Sequence, residues 1–455
     1  AAYYLESDGE AAIFDPLREV QPYIDRANKD GAKIKYVFET HFHADFVSGH
    51  LNLQEKTGAT IVFGPTAKPN YEALVAEDGQ IFNIGTYKIK VIHTPGHTME
   101  STTYLLIDEN DEEHGIITGD TLFIGDVGRP DLAIKQGEIT KEDLAGWLYD
   151  SLRNKIMPLP DDVTVYPAHG AGSACGKNMS KETQDTLGRQ KITNYALRAD
   201  MTREEFIKEV TDGLMAPPQY FSKNAKLNKT GYESIDNVME RGSKGFSVSE
   251  FEAAANATDA LMIDVRNKSE FIEGFVPNSI FIGLDGSFAP WVGALVPDLK
   301  QPILIIAPEG KAEETVMRLA RVGYDNAIGY LEGGFEAWKN AGKEIDTLET
   351  INVATFENHV GEGKAEHILD VRKPGEFEAE HVENAENFPL DFINQNMHKV
   401  TNEKHYYMHC RSGYRSTVAG SILKSRGFEK VTNIHGMFDD IAASEIPTTS
   451  FVCSG

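Results

Sequence analysis

The second half of the chain is written twice. Leu261-Met262-Ile263-Asp264-Val265-Arg266 returns as His367-Ile368-Leu369-Asp370-Val371-Arg372, and Ser269-Glu270-Phe271 returns as Gly375-Glu376-Phe377. Arg321-Val322-Gly323-Tyr324 returns as Ser425-Arg426-Gly427-Phe428. An offset of about one hundred residues makes each copy the size of a domain. Each reads strand, Asp-Val-Arg turn, helix, strand, loop, helix, which predicts an α/β fold on a mainly parallel sheet. The 455 residues leave room for about one more domain ahead of the pair. The expected division is 1–190 for that first domain, 191–243 for a helical extension and linker, then 244–346 and 347–455 for the two copies.

The first domain places histidines and acids at the ends of apolar runs. Tyr36-Val37-Phe38 leads into Thr40-His41-Phe42-His43-Ala44-Asp45, and Tyr87 to Ile92 leads into Thr94-Pro95-Gly96-His97. Gly115 to Thr118 leads into Asp120, and a fourth run ends at Tyr166-Pro167-Ala168-His169. Imidazoles and carboxylates gathered at strand ends suit a divalent metal. A single such motif would pass for a polar turn; four of them point to one centre. Gly125-Asp126-Val127-Gly128-Arg129-Pro130-Asp131 follows, with an arginine suited to gripping a planar anion unless it is tied up by Asp126 or Asp131. Cys175 sits in a Gly-rich loop six residues after His169, either near that centre or as an inert buried thiol.

The second copy carries His409-Cys410-Arg411-Ser412-Gly413-Tyr414-Arg415-Ser416 between a strand-like run and a helical stretch. A cysteine in a tight loop at a helix N-terminus, flanked by Arg411 and Arg415, is stabilised as the nucleophilic thiolate. The matching window of the first copy, Ile305-Ile306-Ala307-Pro308-Glu309-Gly310-Lys311, has no cysteine, so a structural or docking role is expected there. Cys453 reads as a free terminal thiol.

The four strand-end motifs resemble the metallo-β-lactamase superfamily, which implies an αββα sandwich over about 1–190. The Cys410 loop with its preceding Asp370-Val371-Arg372 resembles the rhodaneses; a phosphatase loop needs its arginine one position later than Arg415. Together the whole chain resembles persulfide dioxygenase–rhodanese fusions with an inactive rhodanese-like domain before an active one. In the hydrolytic glyoxalase II branch a histidine stands where this chain has Phe46, and that histidine helps hold a second metal. The resemblance therefore implies one Fe(II) per chain, held by His41, His97 and Asp120. His43, Asp45 and His169 would orient ligands and water, although His43 as a zinc ligand stays open. Arg129 and Cys175 would line the substrate site. The implied activity oxidises the terminal sulfur of a low-molecular-weight thiol persulfide with dioxygen, giving sulfite and thiol. Cys410, with Arg411 and Arg415, would then transfer a sulfane sulfur to sulfite, giving thiosulfate. The competing expectations are a zinc thioester hydrolase resembling glyoxalase II, and a sulfur carrier or sensor with a vestigial metal site.

Composition narrows the partners. A formal net charge of −26 repels nucleic acid and anionic membrane surfaces. No run approaches about 18 apolar residues, and AAYYLESDGE has no signal-peptide character. That opening reads as a strand with a short piece missing before it. Three cysteines argue against a disulfide framework and for a reducing, cytoplasmic setting. A homo-oligomer is expected, with the 191–243 extension as a candidate contact surface.

Overall fold

The computed structural model describes residues 1–134, 137–177, 179–214 and 216–450; Cys453 lies outside them. The chain divides into two units, Ala1–Ile235 with Arg321–Gly323, and Asp236–Ala320 with Tyr324–Gly455.

In the first unit, Glu10–Phe14 shows why two sheets stack. Its side chains alternate faces, as strand geometry requires: Ala12 and Phe14 join one buried cluster, Ala11 and Ile13 another. Phe38 and Val37 divide in the same way along Lys33–Glu39. The first cluster fills the space between two sheets. One sheet orders Tyr3–Ser7, Glu10–Phe14, Lys33–Glu39, Thr60–Phe63 and Leu74–Val75. The other orders Asp185–Thr186, Thr164–Pro167, Glu113–Gly119, Thr102–Ile107, Tyr87–His93 and Ile81–Ile84. Helix Gln21–Asp30 covers the outer face of the first sheet, where Ala27 packs with Ile34 and Val37. Helices Lys141–Ser151 and Arg203–Thr211 cover the second, through Ala145, Leu148 and Phe206. This is the αββα sandwich.

The polar stretch after Pro217-Pro218, in the 191–243 extension and linker, folds as a helix, Phe221–Thr230. Its buried residues are Phe221, Asn224 and Asn228. They follow helical spacing with asparagine in place of apolar side chains, which hides the period from a hydrophobicity reading.

The second unit holds two parallel sheets of the same strand order. The first runs Gly245–Phe246, Ala327–Leu331, Ile303–Ile306, Leu261–Asp264, Ile280–Phe281; the second runs Thr350–Asn352, Val431–His435, Tyr406–His409, His367–Asp370, Glu386–Asn387. The repeated Asp-Val-Arg is a framework device in both. Arg266 pairs with Asp264 at 2.7 Å, donates to the Gly274 carbonyl at 2.8 Å and lies over Phe335. Arg372 pairs with Asp370 at 2.6 Å, donates to the Glu380 carbonyl at 2.6 Å and lies over Phe438. Each arginine uses its planar fork on a buried carboxylate and its face on an aromatic ring. Among the described residues, no helix is long and apolar enough to cross a membrane.

Candidate metal centre and thiol loop

Strand ends deliver the metal-binding candidates to one edge of the sandwich. Pro167 pairs with Gly119 and His93 with Thr102, and Thr102 N–H donates to the Thr40 carbonyl at 2.9 Å. The loops carrying His41, His97, Asp120 and His169 therefore meet. One donor atom each from His41, His97 and Asp120 lies within 4.8 Å of the others, and all three residues are buried. Asp45, His169 and Cys175 form a neighbouring cluster. His169 Nε2 stands 3.4 Å from Asp120 Oδ1 and 3.5 Å from Asp45 Oδ2, so the two clusters touch.

The rings of the first cluster are aimed by their outer nitrogens. His97 Nδ1 donates to the Arg129 carbonyl at 2.9 Å, which turns the bare Nε2 toward Asp120 Oδ2 at 3.4 Å. Thr40 Oγ1 donates to Asp15 Oδ2 at 2.9 Å and so accepts from His41 Nδ1 at 3.0 Å. Both rings thus present a lone pair inward, the state a metal requires. Both Asp120 oxygens are buried without a hydrogen-bond donor. Burial opposes ionisation of Asp120, but His169, His97 and His41 hold its carboxyl well below the usual range. An ionised, unsatisfied carboxylate facing imidazole lone pairs fits a divalent cation. Gly128 is required here: a Cβ would lie 2.0 Å from the Asp120 carbonyl and 3.0 Å from His97 Nδ1.

His43 goes elsewhere. Its Nε2 lies 3.0 Å from Asp15 and 3.5 Å from Glu39, and its ring packs on Phe46. Burial works against the charged ring, yet Asp15, Glu39 and Asp45 outweigh it and raise its pKa to about 9. Arg129 is not an open fork: Nε and one terminal nitrogen hold Asp131 at 2.6 and 2.8 Å, and another donates to the Ala174 carbonyl. Cys175 is buried, and burial with the Asp120 and Asp45 carboxylates pushes its thiol well up.

Sequence reading missed three positioning residues. Asp15 receives both Thr40 N–H and Thr40 Oγ1 and occupies the left-handed region at φ 48. Its one legible signal is an acid directly after the apolar run Ala11 to Phe14. Glu39 is buried against His43 and His50. Asn228 donates to the carbonyls of His43 and Phe46 at 2.7 and 2.8 Å and accepts from Ser48 N–H at 2.8 Å, pinning the His41–Phe46 loop.

In the second unit, Tyr406–His409 ends at Cys410, and helix Tyr414–Ser425 starts after Gly413. Gly413, at φ +82, turns its N–H to Cys410 Sγ at 3.1 Å; Ser416 Oγ lies 3.6 Å from the sulfur. Arg411 is exposed. Arg415 is clamped by both oxygens of Glu376 at 2.6 and 2.9 Å, a partner that the sequence pattern does not reveal. The matching loop of the first copy begins at Ala307 and offers no nucleophile.

Comparison with known proteins agrees with this anatomy. Residues 1–169 match the metallo-beta-lactamase superfamily; residues 247–341 and 352–444 each match the rhodanese-like domain. The crystal structure of a metallo-beta-lactamase from Staphylococcus aureus superposes with a TM-score of 0.63 at 30% identity, covering 72% of this chain and 94% of that one. A probable hydroxyacylglutathione hydrolase of Schizosaccharomyces pombe is 30% identical over 188 residues, 40% of this chain and 68% of that protein. The chain belongs to the metallo-beta-lactamase superfamily. Its superfamily domain is followed by two rhodanese-like domains. The mitochondrial persulfide dioxygenase of Homo sapiens is also a relative, 29% identical over 212 residues, 46% of this chain and 74% of that protein. Superfamily relatives of this chain thus include both a hydrolase and a dioxygenase.

Proposed function

We propose that the metallo-beta-lactamase domain is a non-haem Fe(II) persulfide dioxygenase and that the last domain is a sulfurtransferase. The observation that carries the choice is the His43–Phe46 arrangement. Phe46 cannot ligate, and His43 is engaged with Asp15 and Glu39, so one metal on His41, His97 and Asp120 is favoured over a two-metal hydrolase. Two imidazoles and one carboxylate form the donor set of non-haem iron oxygenases. Bound there, Fe(II) supplies the redox chemistry that lets dioxygen react with sulfur. The overall change is R-S-S⁻ + O₂ + H₂O giving R-SH + HSO₃⁻.

The protein's own groups fix the geometry. The Arg129 carbonyl and Thr40 hold the two rings in register, and the buried walls around Asp120 exclude bulk water. Arg129, tied to Asp131, acts through its carbonyl on His97, and Cys175 lines the wall as a neutral thiol. Asp45 and His169 orient water at the same edge. At the second site, Cys410 thiolate takes the terminal sulfur of a persulfide, R-S-S⁻ leaving as R-S⁻, and sulfite then removes it as thiosulfate, restoring the thiolate. Exposed Arg411 draws the anions; Arg415, through Glu376, fixes the loop.

The test is oxygen uptake by anaerobically iron-loaded protein on adding glutathione or coenzyme A persulfide, with sulfite and thiosulfate assayed afterwards. Uptake matched by sulfite plus thiosulfate is expected. No uptake with either persulfide, together with hydrolysis of S-lactoylglutathione, would move the domain to the hydrolase reading.

A further inference from the structure

The copy without a cysteine reaches into the loop of the copy that has one. Lys268, the first residue of helix Lys268–Glu273 in the first copy, donates from Nζ to the Ser412 carbonyl at 2.7 Å. That carbonyl belongs to the same peptide unit as Gly413 N–H, which points at Cys410 Sγ at 3.1 Å. The two ends of one amide are therefore engaged at once, by an ammonium on the oxygen and by the sulfur on the hydrogen. Positive charge at the oxygen end draws electron density along the amide and strengthens donation at the nitrogen end. It also locks the flip of a peptide whose Gly413 side, at φ +82, lacks the restraint of a Cβ.

The corresponding position in the active copy is Pro374, which carries no charge, and two residues further on Glu376 clamps Arg415. The Cys410 loop is thus held from its own domain by Glu376 and from its neighbour by Lys268. Three further contacts keep the neighbour in place within this unit. Phe281 N–H donates to Ser421 Oγ at 2.9 Å, Tyr414 Oη donates to the Gly283 carbonyl at 3.4 Å, and the Phe281 and Tyr414 rings meet edge-on.

We propose that Lys268 is a positioning residue for Cys410: through the Ser412–Gly413 peptide it stabilises negative charge on the sulfur, so that the cysteine-less domain completes the sulfurtransferase site. The inference rests on the reading of Cys410 as a thiolate nucleophile.

The experiment is iodoacetamide alkylation of Cys410 in the full chain, followed peptide by peptide over a range of pH, with the KM and kcat of sulfur transfer to sulfite. Lys268→Met should slow alkylation near neutral pH about fivefold, the effect of one unit charge at that remove in a partly solvated site, and should shift the profile to higher pH. Lys268→Arg should restore it. Ser421→Ala, which weakens the domain contact without touching the peptide, should leave the profile in place. An unchanged profile in Lys268→Met would overturn the proposal, and so would an equal shift in Ser421→Ala, which would reduce Lys268 to a docking contact. If the alkylation profile of wild-type Cys410, a buried residue, has its midpoint at no lower pH than that of a cysteine in an unstructured peptide, the thiolate reading itself fails and takes the relay with it.

Discussion

Asn228 makes both donor bonds of its amide and one acceptor bond to the loop that carries His43 and Phe46. Asn228→Ala would leave two carbonyls and one N–H unpaired in a buried site, at a cost of about 3 kcal/mol. The expected outcome is a protein that folds but retains much less metal, read by elemental analysis against wild type. His409 gives a prediction of a different kind. Burial, aided by Arg372 and opposed by Asp370, lowers its pKa to about 4. An unfolded chain protonates this ring near its ordinary value of about 6.5, so between those values the unfolded state binds the extra proton. Stability is full above the upper value and falls as pH drops through the window, by about 3 kcal/mol in all. His409→Gln should flatten that slope in urea unfolding of the second unit measured near pH 7, 5.5 and 4.5; an unaltered slope would assign the acid sensitivity to other groups.

The elements that sequence made legible are those whose pattern is apolar. The strands Lys33–Glu39, Tyr87–His93 and Glu113–Gly119 follow the runs read from sequence, each with its functional residue just beyond. Helix Arg203–Thr211 lies within the 191–243 helical extension, with Glu205 completing a capping box on Thr202. Helix Phe221–Thr230 was not legible, because two of its buried positions are asparagines, and Asn228 works through hydrogen bonds to a loop distant in sequence. Asp15, Glu39 and the Glu376 clamp share that difficulty: a buried carboxylate announces itself only through its partners. Loop geometry is equally hidden. Gly128 has nothing unusual in its neighbours, yet its Cβ would meet the Asp120 carbonyl. Gly128→Ala should push the Asp120 and His97 loops apart, destabilising the domain by about 1–3 kcal/mol and lowering metal occupancy; calorimetry beside metal analysis would report both.

At the scale of the whole chain the two chemistries should separate. Cys410→Ser should end thiosulfate formation while oxygen uptake and sulfite persist. His97→Ala, or removal of the metal by a chelator, should end oxygen uptake while sulfur transfer at Cys410 persists. Loss of both activities in Cys410→Ser would favour a carrier whose metal site has no turnover. The repeat shows how such a chain tolerates specialisation. In each copy the arginine of the Asp-Val-Arg turn ties a strand end to a later carbonyl and to an aromatic ring, and none of these groups belongs to the loop at Ala307 or Cys410. Shape and reactivity are thus encoded in different places. A repeated module built this way can do without a nucleophile, keep its architecture, and lend a side chain to the loop of its twin.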